Sequence, residues 1–441
     1  MHTVEGLSQI TNDHFRISNI KQGTLNFEIR HSIFNLRSRA SKYMNIALVH
    51  NRYAVDSGEE TVVENIADLF SANGHNVTLF MKRSSEISTM LLGRTRAFFS
   101  GIFNFGVMKT FRAFLSQSKP DIVHIHNLFP LISPSVLIEC RRAHIPVVMH
   151  VHNYRLVCPN GLHMPKTDLR ICEKCCGGRE YWCVLKNCEG DLPKSLGYAL
   201  RSYVARKAQL YRANVSIYVC LTGFQKQRLV SQGYPDDRMV VLPNMVRLKN
   251  KPDTSSPGNY VGFVGRVSPE KGISIFLKAA KKCPHIEFRV AGSYDRMPHV
   301  LTQAPDNCRF LGYLRSGALS QFYSFSRIVV APSLWYETFC LIAMEAQAYG
   351  KPVICSHLGA LPEVVDNEVT GLLFQIGDAG ELAEKIQYLW DRPDLCRRMG
   401  DAGRDKFRRS YSPQQYYERL MVVYEKAIKL GPPILHGKQM V

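Results

Sequence analysis

Short runs rich in Val, Ile and Leu recur along this 441-residue chain, spaced widely enough to leave a helix between several of them. From residue 45 they read NIALVHN, NVTLFMK, DIVHIHN, IPVVMHVHN, VSIYVCLT and RMVVLPN. From Tyr260 a second set follows: YVGFVGRV, IEFRVAGS, CRFLGYL, RIVVAPS, KPVICSH and GLLFQIG. Helix-period segments separate several runs, for example EETVVENIADLFSANG, which closes on a glycine C-cap at Gly74. This alternation predicts an α/β chain of two doubly wound, Rossmann-like domains in tandem, each built on a parallel sheet with crossover helices. In such sheets ligands bind beyond the carboxyl ends of the strands, so function is expected in the cleft between the domains.

Residues 1–43 lack periodicity and read as a tail, with Met44 as an alternative natural start directly before the first strand run. The first domain is expected over 44–247 and the second over 260–410. The polar, turn-forming LKNKPDTSSPGN (248–259) reads as the linker, and 411–441 as a closing helix and tail.

A composition of 45% hydrophobic and 21% charged residues suits a soluble globular protein with large cores. The formal net charge of +19 calls for an anionic partner: a nucleic acid, a membrane surface or a phosphorylated substrate. No run approaches the roughly 20 apolar residues of a spanning helix. MHTVEGLSQITNDHF carries no signal-peptide core, so a cytoplasmic location is expected.

Six of the 13 cysteines lie between Cys158 and Cys188, which indicates a local cluster. Cys172 and Cys175 form C-x2-C, and Cys183 and Cys188 form C-x4-C, spacings that suit a structural zinc held by four thiolates. Cys158 and Cys176 are alternative members; a reduced thiol loop, a labile disulfide or an iron–sulfur site would use the same residues. Residues 93–119 hold six Phe, five basic residues and no acid, and residues 192–235 hold seven Lys or Arg and no acid. Such stretches suit either peripheral anchoring on an anionic membrane or a domain helix burying its Phe stripe.

Two segments carry chemistry. GFVGRVSPEKG (262–272) places Gly265, Arg266 and Lys271 after a strand and at a helix start, with Ser268 as a candidate N-cap and Pro269 in the first turn. Its amides and cations would suit a diphosphate. No G-x-G-x-x-G opens either domain, and no D-x-D pair is present to hold a bridging metal, so no catalytic metal is expected. The other segment, LWYETFCLIAMEAQAYGKPVI (334–354), sets Glu337 and Glu345 in an otherwise almost apolar run. On one helix their offset would point them apart by about 80°. Glu337 in a preceding loop would let both face one pocket.

GRVSPEKG, APSLWYETFCLIAMEAQAYGKPVICSHLGALPEVV and TGLLFQIGD together resemble the donor-binding half of glycosyltransferase family 4. MNIALVHNRYAVDSGEETVVENIADLFSANGHNVTLF and KPDIVHIHN are similar to its acceptor-side domain, so the likeness runs from Met44 to about Lys429. The resemblance implies the two-domain GT-B fold and retaining transfer from a nucleotide-diphosphate sugar. Taken with anchoring on a membrane, it points to a glycan or lipid-linked acceptor in surface polysaccharide assembly. It further implies that Arg266 and Lys271 grip the diphosphate, that Glu345 receives the ribose hydroxyls, and that Glu337 faces the donor sugar. Amides around Phe339, Cys340 and Leu341 would lie near sugar and phosphate. Gly58 and Glu59 would lie near phosphates and acceptor, with His152 at the reaction centre and His126 nearby. The Cys-rich insertion is shared with some bacterial members only. Thr338 and Cys340 stand where the family often has glycines, and DSGEE replaces a common glycine pair, which leaves the donor sugar open. A sugar-nucleotide epimerase and a zinc-containing nucleic-acid-binding protein are the other readings; the latter leaves both wound domains unexplained.

Overall fold

The computed structural model describes residues 43–53, 58–88, 93–248 and 258–433. Nearly all of the expected tail and most of the expected linker lie outside these residues. The described chain forms two six-stranded sheets. The first contains β1 (Asn45–Arg52), β2 (Asn76–Arg83), β3 (Ile122–Ile125), β4 (Val147–Val151), β5 (Ile217–Cys220) and β6 (Met239–Val241). Their order is β2-β1-β3-β4-β5-β6. The second contains β7 (Tyr260–Val264), β8 (Phe288–Ala291), β9 (Cys308–Phe310), β10 (Ser326–Ala331), β11 (Val353–Ser356) and β12 (Gly371–Phe374), ordered β12-β11-β10-β7-β8-β9.

Every strand pairing is parallel, and each strand falls on one of the apolar runs. The strand order reverses between β1 and β3 and between β7 and β10. Loops leaving the two strands on either side of such a reversal depart toward opposite faces and open a crevice. Those four strand ends lead into the segments carrying Gly58, His126, Arg266 and Glu337.

Helices cover both faces of each sheet because their apolar positions recur at helical spacing. In helix Ile273–Lys282, Ile273, Phe276, Leu277 and Ala280 are buried in the same core as Val261, Phe263 and Phe288. Helix Pro413–Leu430 leaves the second domain and returns to the first. Its Tyr416, Leu420, Val423, Tyr424 and Ala427 join one core with Ile46, Leu48, Ile122, Val148 and Ile217. Ser412 caps that helix by accepting from the Gln415 amide, with Pro413 at its first position.

Candidate active site

On the second domain, Gly265 directly follows β7 with φ of 126°, a conformation open to glycine. Pro269–Lys271 form a single 3-10 turn, and the α-helix begins only at Ile273. Pro269 occupies the first turn as expected, but the Ser268 side chain makes no capping bond. Between turn and helix stands Gly272, at φ 75°, where a Cβ would lie 1.8 Å from the Pro332 carbonyl oxygen. Glycine is required there for the loop after β7 to lie against the loop after β10.

That contact brings Lys271 to Glu337. Lys271 Nζ is 2.7 Å from Glu337 Oε1, which also accepts from Ser333 Oγ at 2.7 Å and Trp335 Nε1 at 3.0 Å. Glu337 is only 4% exposed, so burial without these donors would be costly. Lys271 also stands 5.3 Å from the centre of the Trp335 ring. The structure thus places these two residues on each other. Arg266 remains more than half exposed, with Nη2 2.8 Å from Glu270 Oε1.

Glu337 lies in the loop after β10, and Glu345 lies within helix Leu341–Ala348. Tyr323 donates to Glu345 Oε2 at 2.6 Å, and burial raises the Glu345 carboxyl above its ordinary range. The two acids are therefore held by different donors on different elements. Cys340 occupies the N-cap position of this helix without a side-chain cap, which leaves the positive end of the helix dipole to the crevice. Burial pushes the Cys340 thiol up to about 12, so it stays protonated. Phe339 is packed into the core beside it. Across the crevice, a Cβ on Gly58 would lie 2.8 Å from Leu341 Cδ1, so the two domains approach closely at these residues.

On the first domain, Glu59 meets Asn153 Nδ2 at 3.3 Å and Tyr53 Oη at 3.4 Å. Burial raises its carboxyl, against the pull of Arg155. Arg155 donates to Tyr53 Oη at 3.1 Å and Asn127 Oδ1 at 3.3 Å. His152 Nε2 is 2.8 Å from His126 Nδ1. Burial, with His50 and His124 nearby, lowers the His152 imidazole to about 3, so it is neutral at physiological pH. His126, His150 and His152 line a cavity of about 20 Å³, room for one water molecule. The sequence reasoning missed His50, His124, His150 and Arg155. The available signal was the doubled H-x-H, at 124/126 and 150/152, on runs that become neighbouring strands.

Residues 57–250 match the family described as Glycosyltransferase Family 4, and residues 246–406 match Glycosyl transferases group 1. The chain belongs to glycosyltransferase family 4. It is 27% identical over 267 residues to an uncharacterized 42.6 kDa protein in the cps region of Klebsiella pneumoniae, covering 60% of this chain and 64% of that one. It is 33% identical over 196 residues to a D-inositol 3-phosphate glycosyltransferase of Corynebacterium kroppenstedtii, covering 40% and 42%. The matches thus span less than two thirds of these relatives' lengths. Sucrose-phosphate synthase from Thermosynechococcus elongatus superposes with a TM-score of 0.65 at 19% identity, over 87% of this chain and 99% of that one. Anabaena Alr3699/HepE, in complex with UDP and glucose, superposes with 0.62 at 16% identity, over 87% and 100%. The fold is GT-B.

Within this family 4 chain, the departure at Thr338 has a structural role. Thr338 Oγ1 donates to the His152 carbonyl at 3.0 Å, and Thr222 Oγ1 donates to the Thr338 carbonyl at 3.3 Å. A glycine at 338 would lose the first of these bonds between domains. Tyr154 Oη adds a bond to the Glu337 carbonyl at 3.3 Å. The Glu363 carboxylate accepts from the amides of Gly223 and Phe224 at 2.7 and 2.6 Å, and so caps a first-domain helix from the second domain.

The cysteine-rich segment joins the same seam. Glu173, between Cys172 and Cys175, bonds Arg228 and accepts from Tyr336 Oη at 2.9 Å, on the loop that carries Glu337. Cys175, Cys183 and Cys188 share a small core, with the buried Cys158 next to them, while Cys172 is more exposed. All thirteen cysteines are free thiols. No three thiols among the described residues lie within 4.8 Å of one another, so a zinc held there would have to draw them together.

Proposed function

We propose that this chain is a retaining hexosyltransferase that moves a sugar from a nucleoside-diphosphate donor to a glycan or lipid-linked acceptor in surface polysaccharide assembly. The carrying observation is the Lys271–Glu337 pair, set at the strand-order reversal beside the open N-terminus of helix Leu341–Ala348. In this reading Arg266, Lys271 and the amides from Gly265 and from Phe339 to Leu341 receive the diphosphate. Lys271 keeps donors beyond the one given to Glu337. Glu345 meets the ribose.

As the bond between the anomeric carbon and phosphate breaks, charge grows on the leaving diphosphate, and prepositioned cations and dipoles stabilise it without reorganising. The acceptor hydroxyl attacks from the same face, and its proton passes to the departing phosphate oxygen. Glu337 is engaged through Oε1 by three donors, which suits an anchor for Lys271 rather than a nucleophile. His152 and Glu59, across the crevice, would orient the sugar and acceptor. The likeness to a Klebsiella protein in a cps region and to an Anabaena protein holding UDP and glucose supports both the donor class and the setting.

A panel of UDP-, GDP- and ADP-sugars, read by thermal shift and by acceptor-dependent nucleotide release, tests this reading. One donor should stabilise the protein and release nucleotide only with acceptor present. Release of an isomerised sugar nucleotide without acceptor would instead indicate an epimerase.

Peripheral attachment to an anionic membrane belongs to the same proposal. Among the described residues no helix is long and apolar enough to cross a membrane. Helix Leu192–Lys207 nevertheless exposes Leu192, Leu196, Leu200 and Tyr203, one stripe at helical spacing, and Phe99 and Phe105 are exposed on the 93–119 segment. Phe111 of that segment is fully buried, so its Phe stripe is divided between core and surface. Replacing Leu196 and Leu200 together by Asp should abolish flotation with anionic liposomes at low salt. Unchanged flotation would remove this attachment.

A further inference from the structure

β3 and β4 hold a constellation of which the transferase reading uses only His126. His124 lies on β3, His126 follows two residues later, and His150 sits on the adjacent β4. Ile125 pairs in register with Met149, so these even-numbered positions share one face of the sheet. One ring nitrogen of each histidine lies within 4.8 Å of the other two. Their exposures are 0%, 3% and 0%.

The hydrogen bonding of the rings is the second observation. His124 Nδ1 is 2.8 Å from Tyr424 Oη, and His126 Nδ1 is 2.8 Å from His152 Nε2. Asn244 lies beside His150. The Nε2 atoms of all three histidines have no hydrogen-bond partner among the described residues. Buried polar atoms are rarely left so, and an ion or water commonly accounts for them. A histidine that binds metal through one nitrogen gives the other to an outer partner, and Tyr424 and His152 stand where such partners would be.

We propose that His124, His126 and His150 bind one divalent metal ion of borderline character, with Zn²⁺ as the reference case. Burial holds all three imidazoles well below their ordinary range, so each is in the neutral, ligating form at physiological pH. Tetrahedral zinc with bonds of about 2.0 Å sets its nitrogens about 3.3 Å apart, so binding draws the rings in by about 1 Å or more. The ion ties β3 to β4 and, through Tyr424, to helix Pro413–Leu430. By occupying His126 Nε2 it leaves the ring proton on Nδ1, which then donates to His152 Nε2. The proposal is independent of the transferase reading.

The test uses the full chain, stripped by chelator, reloaded with two equivalents of Zn²⁺ and desalted, so that a thiolate site is filled as well. Zinc-edge X-ray absorption should show imidazole nitrogen at about 2.0 Å, distinct from thiolate sulfur at about 2.3 Å. The double variant His124→Gln, His150→Gln should lose about one zinc per chain together with that nitrogen shell. The milder Tyr424→Phe should weaken zinc binding by about 10-fold or more. A sulfur-only shell in the wild-type chain, or equal zinc content with and without the two histidines, overturns the proposal. The wild-type spectrum decides even where the double variant does not fold.

Discussion

Lys271 and Glu337 neutralise each other in a site that also has to receive a diphosphate, and this pairing governs what each substitution should do. Arg266→Ala and Lys271→Ala should each lower kcat by about 10²–10³, the usual loss when one prepositioned donor to a developing oxyanion is removed. Near-normal steady-state turnover in both variants would defeat the donor assignment. Lys271→Ala also strands a buried carboxylate, so it should destabilise the fold by about 1–3 kcal/mol, whereas the more exposed Arg266 should not. Adding Glu337→Gln to Lys271→Ala should restore stability in chemical denaturation without restoring turnover. Histidine sets the response to pH. His152, His124, His126 and His150 all have imidazoles lowered in the fold, so between the lowered values and about 6.5 the unfolded chain binds more protons. Their contribution to stability is complete above about pH 6.5 and is lost progressively as pH falls below it, for His152 down to about 3. The melting temperature should therefore drop between pH 7 and 5. Histidine NMR should show no His152 titration over the same range; a His152 midpoint near 6.5 would contradict the burial argument.

At the scale of elements, the meeting of Gly58 with helix Leu341–Ala348 is the point where one domain touches the start of the other's ligand-facing helix. A side chain at 58 should hold the domains apart there. Gly58→Val is expected to raise the donor KM by about 10-fold, and Leu341→Ala in the same chain should recover part of the loss by removing the opposing methyl groups. An unchanged KM in Gly58→Val would show that closure at this contact is not needed for donor binding. All twelve strands were legible, because buried parallel strands need apolar runs and the helices between them need helical periodicity. The start of the second domain's first helix was less so. Pro269 and Lys271 read as a first turn, but Gly272 interrupts it, and only the approach of Pro332 explains why.

For the whole molecule, the two domains are joined by polar contacts that no sequence pattern announces. Thr338 to His152, Glu363 to the amides of Gly223 and Phe224, and Glu173 to Tyr336 connect residues far apart in the chain. Helix Pro413–Leu430 adds an apolar tie by completing the first domain's core after the chain has built the second. Truncation after Ser412 uncovers that face. Burying each large side chain is worth roughly 1.5–3 kcal/mol, so the summed loss is comparable to a typical domain margin of about 5–15 kcal/mol. The truncated chain should be insoluble or show lost amide-exchange protection in β1, β3 and β4. Native protection there would mean the helix is dispensable.

What the sequence determined by itself was local: strand and helix positions, the two-domain plan, and the residue types an anion site requires. Periodicity and loop chemistry act over a few residues, so they can be read one segment at a time. Only the tertiary structure decided that Lys271 lies on Glu337, that Thr338 bridges the domains, and that Cys158 rather than Cys172 sits with the other buried thiols. It also decided that the two H-x-H pairs become one buried stack under Tyr424. Each depends on a distance between residues from different segments. Such a distance is set by how sheets, loops and the returning helix pack, not by any neighbour along the chain.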